Sequence, residues 1–221
     1  MGKVIISGAC PLMTAPKAGT PLSTYTEGSI IKINENGSPV EFYVAKHDYE
    51  AGLNGTGRTL VVRKDCFGSR EWNDTSVNTY ATSAINGWLN GDYKNLFSTS
   101  ISNAIGVTKF KYTPGNDNNS IVTLEKAVFL LSVTELGKTA HYANIEGIAL
   151  PIASSLQIAY LNSSTVIQWT RSPDTGGTGH AFYLNTDGSA YSNSCTNFYY
   201  SRPAFTLPST IKIDANGQVI E

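Results

Sequence analysis

Residues 30–45, IIKINENGSPVEFYVA, alternate apolar and polar positions on both sides of an Asn-Gly pair. Ile31 and Ile33 form one apolar row and Val40, Phe42 and Val44 the next, with Asn36-Gly37 between them. Period-two alternation places one side of a strand on a core, and Asn-Gly accepts the positive φ values of a two-residue turn. The pattern predicts a β-hairpin, with Leu60-Val61-Val62 as the next strand. The pattern repeats later. Residues 180–192 predict a second hairpin turning at Asp187-Gly188, and Asn216-Gly217 predicts a third turn in the tail.

The period changes over residues 78–97. Ile85, Trp88, Leu89, Leu96 and Phe97 share one helical face, which predicts a helix with Trp88 in the core. Gly87 and Gly91 weaken it, and Gly91 is placed to divide it. Ala127 to Leu131 reads as an apolar strand running into Ser132-Val133-Thr134-Glu135, a capping box that predicts a short helix ended by Gly137. TPGNDNNS at 113–120 is a turn-rich loop. Tyr199 to Leu207 reads as a final core strand with Pro203 at an edge or bulge. Strands and helices do not alternate regularly, so the fold class is α+β. Residues 1–24, with Pro11, Pro16 and Pro21, read as an extended arm; 25–208 form the domain and 209–221 a hairpin tail.

Composition narrows the function. Charged residues make up 15% of the chain, below the ~25% usual for soluble domains, and the net charge is −1. That balance argues against nucleic acid or an anionic membrane as partner. No apolar run is long enough to span a membrane, and the opening MGKVIISGACPLM does not read as a signal peptide. Cys10, Cys66 and Cys195 form neither a disulfide framework nor a zinc signature. His47, His141 and His180 are too scattered for a metal site, and no nucleophile–base motif occurs. The expectation is a protein without enzymatic activity, metal or cofactor.

The stretch 183–201 points elsewhere. Among its 19 residues are four Tyr, four Ser and three Asn. Tyr offers wide amphipathic contact at low entropic cost, and Ser and Asn offer adaptable hydrogen bonds. Trp169-Thr170-Arg171-Ser172-Pro173 and Ser201-Arg202-Pro203-Ala204-Phe205 bracket it and anchor its ends. Tyr183, Asn185, Tyr191, Asn193, Asn197, Phe198 and Tyr199 are the expected ligand-binding residues.

Five segments together carry a resemblance: Gly28-Ser29-Ile30-Ile31 with Phe42-Tyr43-Val44, Tyr80 with Ile85-Asn86-Gly87-Trp88-Leu89-Asn90, Val128-Phe129-Leu130-Leu131-Ser132 with Glu135-Leu136, and the two Arg-containing brackets. In this order, over about residues 25–208, the chain resembles an uncharacterised domain family of gut bacteria and their phages. That family is similar to the formylglycine-generating-enzyme branch of the C-type-lectin fold. The resemblance implies two helices, twisted antiparallel sheets and a variable ligand face near the C-terminus. It gives Arg171 and Arg202 structural roles, beside the core residues Trp88 and Trp169. The enzymes of that branch use a cysteine pair in the C-terminal half, where this chain has only Cys195. Trp72-Asn73-Asp74 imitates the calcium tripeptide of sugar-binding C-type lectins, but it lies early and lacks the partner tripeptide.

The function implied is recognition of a host cell-surface protein or glycan by a phage tail-tip protein or a surface adhesin. The Tyr/Asn/Ser content also resembles variable proteins diversified by reverse-transcription cassettes. A structural virion subunit contacting other subunits, homo-oligomers included, and an enzyme with an unrecognised site are the alternatives. Since one carboxylate, Asp117, is poor for calcium, a chelator should leave the melting temperature unchanged. A fall of several degrees in EDTA would reopen the 113–120 loop as a metal site.

Overall fold

The computed structural model describes residues 18–221. Two five-stranded sheets dominate it. Ten strands build them: β1 (Ile30–Glu35), β2 (Ser38–His47), β3 (Arg58–Arg63), β4 (Ser69–Glu71), β5 (Val128–Phe129), β6 (Gln168–Pro173), β7 (His180–Leu184), β8 (Ala190–Ser194), β9 (Phe198–Tyr200) and β10 (Ala204–Pro208). The first sheet runs β1-β2-β3-β10-β5 and the second β8-β7-β6-β9-β4. Every pairing in them is antiparallel except the short parallel contact of β6 with β9. With few, short helices this is an α+β fold. Among the described residues no helix is long and apolar enough to cross a membrane.

The first hairpin forms as its alternation predicts. Ile31, Ile33, Phe42 and Val44 are buried while their neighbours Lys32, Glu41 and Tyr43 are only partly covered. Asn36 and Gly37 turn at φ 50° and 78°, and Ile33 faces Val40 across the pair. Phe42 and Phe97 both pack edge-on against Phe205 of β10, tying the hairpin and the end of the helical segment to an inner strand of the sheet. The second hairpin, β7–β8, also forms, with Gly188 at φ 79° in its turn and Tyr183 opposite Tyr191.

The predicted helix over 78–97 is shorter and composite. An α-helical turn, Ala84–Trp88, widens into a π-turn, Leu89–Tyr93, and tightens into a 3₁₀ turn, Lys94–Leu96. Gly91 lies inside the widened part, where a missing side chain eases the irregular turn. The start is delayed because residues 78–80 are claimed by tertiary bonds. Asn78 Nδ2 donates to the carbonyls of Asp174, Gly177 and His180, and Tyr80 OH accepts from the Leu130 N–H. Ile85 and Leu89 are fully buried; Trp88 is only partly buried, against the core's edge, because the helix lies at the rim and its indole faces an arginine of β4.

Three other elements depart from prediction. The capping box forms with both reciprocal bonds: Ser132 N–H donates to Glu135 Oε2 at 2.9 Å and Glu135 N–H to Ser132 Oγ at 3.1 Å. It closes a single turn and starts no helix, since Gly137 at φ 68° ends the turn at once. Only Val128–Phe129 of the predicted 127–131 strand pairs, because Leu130 and Leu131 turn their carbonyls to Arg171. Tyr199 to Leu207 is two strands in two sheets. Ser201, Arg202 and Pro203 carry the chain across, and Pro203 sits in this crossing, where no ladder N–H is needed.

Most of the expected arm, residues 1–17, lies outside the described residues. Residues 20–24 belong to the domain: Thr20–Pro21 pairs with Lys212–Ile213 of the tail, and Leu22 is fully buried. The tail returns at Gly217, φ 78°, to bridge Ile213 with Val219.

Buried polar networks join the layers. Arg171 of β6 has no exposure. It pairs with Glu135 at 2.6 Å and donates to the carbonyls of Lys111, Leu130 and Glu146, with Phe110 beneath the guanidinium at 4.6 Å. Burial alone would lower its pKa; Glu135, Tyr49 and Glu146 reverse this and raise it. Tyr49 donates to Glu135, while Glu146 accepts from Ser172 and the Thr113 N–H. Arg202 spans the crossing, donating to the carbonyls of Arg63, Lys64 and Leu156. Nearby, Arg63 holds Glu35 at 3.1 Å and Tyr93 donates to the same carboxylate.

Removing Arg171 strands two carboxylates in the core. Arg171→Leu should cost about 3–5 kcal/mol, and the Arg171→Met/Glu135→Gln pair should recover part of it. A loss below ~1 kcal/mol for Arg171→Leu, measured by denaturant unfolding, would show that the network carries no stability. A second outcome concerns alkali. Burial, then Glu35, holds the Tyr93 hydroxyl well above its ordinary 10.0, and burial pushes the Cys66 thiol from 9.0 up to about 12. Both groups keep their protons in the folded state longer than in the unfolded chain. Their stabilisation is therefore intact below about pH 9 and is lost as pH rises toward the native values, at about 1.4 kcal/mol per pH unit for each group. Unfolding free energies measured from pH 8 to 11 should fall accordingly, and Tyr93→Phe should flatten the slope above pH 10.

Candidate functional site

One face of the second sheet gathers aromatic side chains from four strands. Residues two apart on a strand share a face, so Tyr191 and Asn193 of β8 lie together. Tyr183 stands opposite Tyr191 on β7, with ring centroids 6.2 Å apart. Tyr199 of β9 follows at 4.7 Å from Tyr183, and Asn193 Nδ2 donates to its hydroxyl at 2.8 Å. Beneath Tyr183 and Tyr199 is Trp169 of β6, 1% exposed, at 6.1 and 4.6 Å from their rings. Its indole N–H donates to the Arg70 carbonyl. Trp169 is thus the buried base of the row.

The row continues past the predicted segment. Tyr199 is the direct antiparallel partner of Arg70 on β4. Directly opposed residues share a face about 5 Å apart at Cβ. The Arg70 guanidinium carbon lies 3.3 Å from the centre of the Trp88 ring, and Trp88 packs on Phe67 and Tyr93. Tyr191, Asn193, Tyr183, Tyr199, Arg70 and Trp88 therefore form one strip, rings upward, across the sheet and onto the helix rim. Burial first, then the neighbouring Tyr199 hydroxyl, raises the Tyr183 pKa, so its tip remains a hydrogen-bond donor at neutral pH.

Four of the seven expected binding residues meet here: Tyr183, Tyr191, Asn193 and Tyr199. Three do not. Phe198, 64% exposed, precedes Tyr199 in the same strand and faces the opposite side, as the pleat requires. Asn185 opens the β7–β8 turn, where its N–H donates to Ser189, and Asn197 sits in the turn between β8 and β9, bonded to Ser194. Composition marks a segment, and only the pleat sorts its residues between faces. Arg70 and Trp88 escape sequence reasoning because strand pairing brings them from 129 and 111 positions before Tyr199. The Trp88 reading as core hid its second role, since a half-buried ring serves both.

Three groups able to do covalent chemistry, Cys66, Cys195 and His47, are buried or bonded. Cys66 and Cys195 are buried and separate, with burial raising each thiol to about 12. Cys10 lies outside the described residues. His47 has both ring nitrogens bonded, Nδ1 to Thr59 Oγ1 at 2.8 Å and Nε2 to the Tyr25 carbonyl at 2.7 Å. A shallow cavity of about 350 Å³ lies beside His180, Asp174 and Tyr142, where Asp174 is held by Ser192 and the Gly176 N–H. Among the described residues no group of three or more His, Cys, Asp or Glu is arranged to hold a metal ion. Trp72 and Asn73 are structural: the indole N–H reaches the Thr170 carbonyl, and the Asn73 oxygen caps the Ala84 N–H. The 113–120 loop is fixed by Asn78, whose carbonyl oxygen would stand 2.1 Å from any Cβ at Gly115, φ 77°.

Comparison with curated proteins and with solved structures gives no match. A family sequence model matches residues 56–209, a span that opens before β3, closes after β10 and contains every residue of the strip. The chain belongs to that family, described as Domain of unknown function (DUF6273).

Proposed function

We propose that this is a non-catalytic recognition domain that binds its ligand on the Tyr191–Tyr183–Tyr199 strip. One observation carries the reading. Side chains rich in amphipathic rings and amides stand in a row on a rigid sheet, over the buried Trp169, with Tyr191 53% exposed at its end. A recognition surface needs such rings, which offer an apolar body and a polar tip without much entropy to lose. The bonded histidine and the buried, raised thiols support a binding role over a catalytic one. The resemblance to the formylglycine-generating-enzyme branch of the C-type-lectin fold belongs to this proposal, and so does the biological setting: a phage tail-tip or surface adhesin facing a host cell-surface protein or glycan. A second reading, a virion subunit, has support from Ile145 and Ile148, which are 74% and 68% exposed on one loop and suit a contact between subunits.

The test is attachment. Labelled protein should stain a subset of gut bacterial strains in flow cytometry. Tyr191→Ala/Asn193→Ala should reduce that staining at least tenfold while the protein stays folded, because Tyr191 is exposed and Asn193 gives up one hydrogen bond, worth about 1 kcal/mol. Tyr199→Ser should also abolish staining but cost more stability, since Tyr199 covers Trp169. Full staining by the double variant would move the site elsewhere.

A further inference from the structure

We infer that the strip is built for an acidic oligosaccharide, with Arg70 receiving a sugar carboxylate while the tyrosines stack against the sugar rings. This inference rests on the recognition reading above and names its ligand class.

Arg70 is the odd one among the five arginines of the chain. Arg58 donates to Thr206 and the Ala104 carbonyl, Arg63 to Glu35, and Arg171 and Arg202 to the partners already given. The four ion pairs among the described residues use Arg63, Lys64, Lys109 and Arg171. Arg70 has no such partner there, and its Nε is buried without a hydrogen bond. That nitrogen is covered by the protein itself, and the two outer guanidinium nitrogens, which make no hydrogen bond among the described residues, are the ones left to a partner from outside the chain. Its position over Trp88 prevents it from folding away to find one. Guanidinium is the group whose planar fork matches a carboxylate, by two parallel N–H bonds.

What stands beside Arg70 selects the rest of the ligand. Tyr199 is directly across the ladder, followed by Tyr183 and Tyr191, each a ring with a hydroxyl tip, and Asn193 adds an amide. Sugar rings present C–H faces that stack on aromatic rings and hydroxyls that meet such tips. The hydroxyl and amide tips among these rings suit a polyhydroxylated chain, and the most exposed aliphatic side chains, Ile145, Ile148 and Val107, lie on other segments. The strip is a row running across the sheet from β8 to β4, so it suits a chain of sugars lying along it.

Calorimetry with short oligosaccharides of polygalacturonate, hyaluronan and colominic acid, each intact and carboxyl-reduced, tests this. At least one intact probe should bind, and reduction of its carboxyls should weaken binding at least tenfold. Arg70→Gln should weaken the intact probe equally and leave the reduced one unchanged, while Arg70→Lys should recover part of the loss. Melting curves check that each variant is folded; should Arg70→Gln unfold, the reduced probe on the native protein and Arg70→Lys decide alone. An unchanged Kd in Arg70→Gln, a preference for the reduced or a sulfated probe, or no binding by any acidic probe overturns the inference. In those cases loss of cell staining in Tyr191→Ala/Asn193→Ala leaves the recognition reading standing, with a neutral glycan or a protein as ligand.

Discussion

A guanidinium with no exposure needs a partner for every N–H, and satisfying Arg171 fixes much of the molecule. Its partners come from a further strand, Thr108–Tyr112, from the end of β5, from the capping-box turn and from the Glu146 loop. None of these segments is adjacent to β6 in sequence. Once Arg171 is buried, each has to present a carbonyl or carboxylate at a fixed point. Two buried carboxylates flank one cation, and burial raises the Glu146 pKa, partly offset by Arg171 and the Ser172 hydroxyl. The pairing adds less net stability than its short contacts suggest, because desolvation consumes much of the Coulomb gain. Its larger effect is to reject any arrangement that leaves a charge unpaired.

Arg202 does the same at the passage between the sheets. One crossing from the first sheet to the second follows β3, another back to the first follows β9, and these two run side by side. Arg202 bonds the carbonyls of Arg63 and Lys64 in the outgoing crossing, while the Arg63 and Phe67 N–H groups bond the carbonyls of Pro203 and Ser201 in the returning one. This makes a loop-rich corner as firm as a ladder. Both arginines bracket the Tyr-rich segment, so its ends are held by networks independent of the residues on its face.

That independence is what a binding surface requires. Trp169, anchored through its indole N–H, supports Tyr183 and Tyr199 from below, while Tyr191 stands exposed on the edge strand β8 beside Asn193, which bonds the Tyr199 hydroxyl. The edge of the strip is thus free to vary, whereas its middle is tied to packing. Trp88 joins the two regimes, half in the core cluster and half under Arg70.

The sequence by itself determined what short-range chemistry decides. Asn36-Gly37, Asp187-Gly188 and Asn216-Gly217 mark their turns because positive φ is cheap only for such residues. Alternation named the buried row of the first hairpin, and Ser132 with Glu135 formed its reciprocal caps. Structural roles for Arg171 and Arg202 came from the family resemblance and not from the local pattern; both side chains are buried and bonded to backbone carbonyls. Only the tertiary structure decided the rest. Gly137 ended the capping-box turn at once, and only the tertiary structure set its Glu135 against Arg171 in the core. Tyr199 to Leu207 split between sheets because Pro203 and Arg202 occupy the crossing, which no local pattern encodes. The strip itself depended on β9 pairing with β4, which sets Tyr199 beside Arg70, and on the pleat, which turns Phe198 away. Non-local strand pairing and a single-residue choice of face are set by the packing of the entire chain, and neighbouring residues carry no record of either.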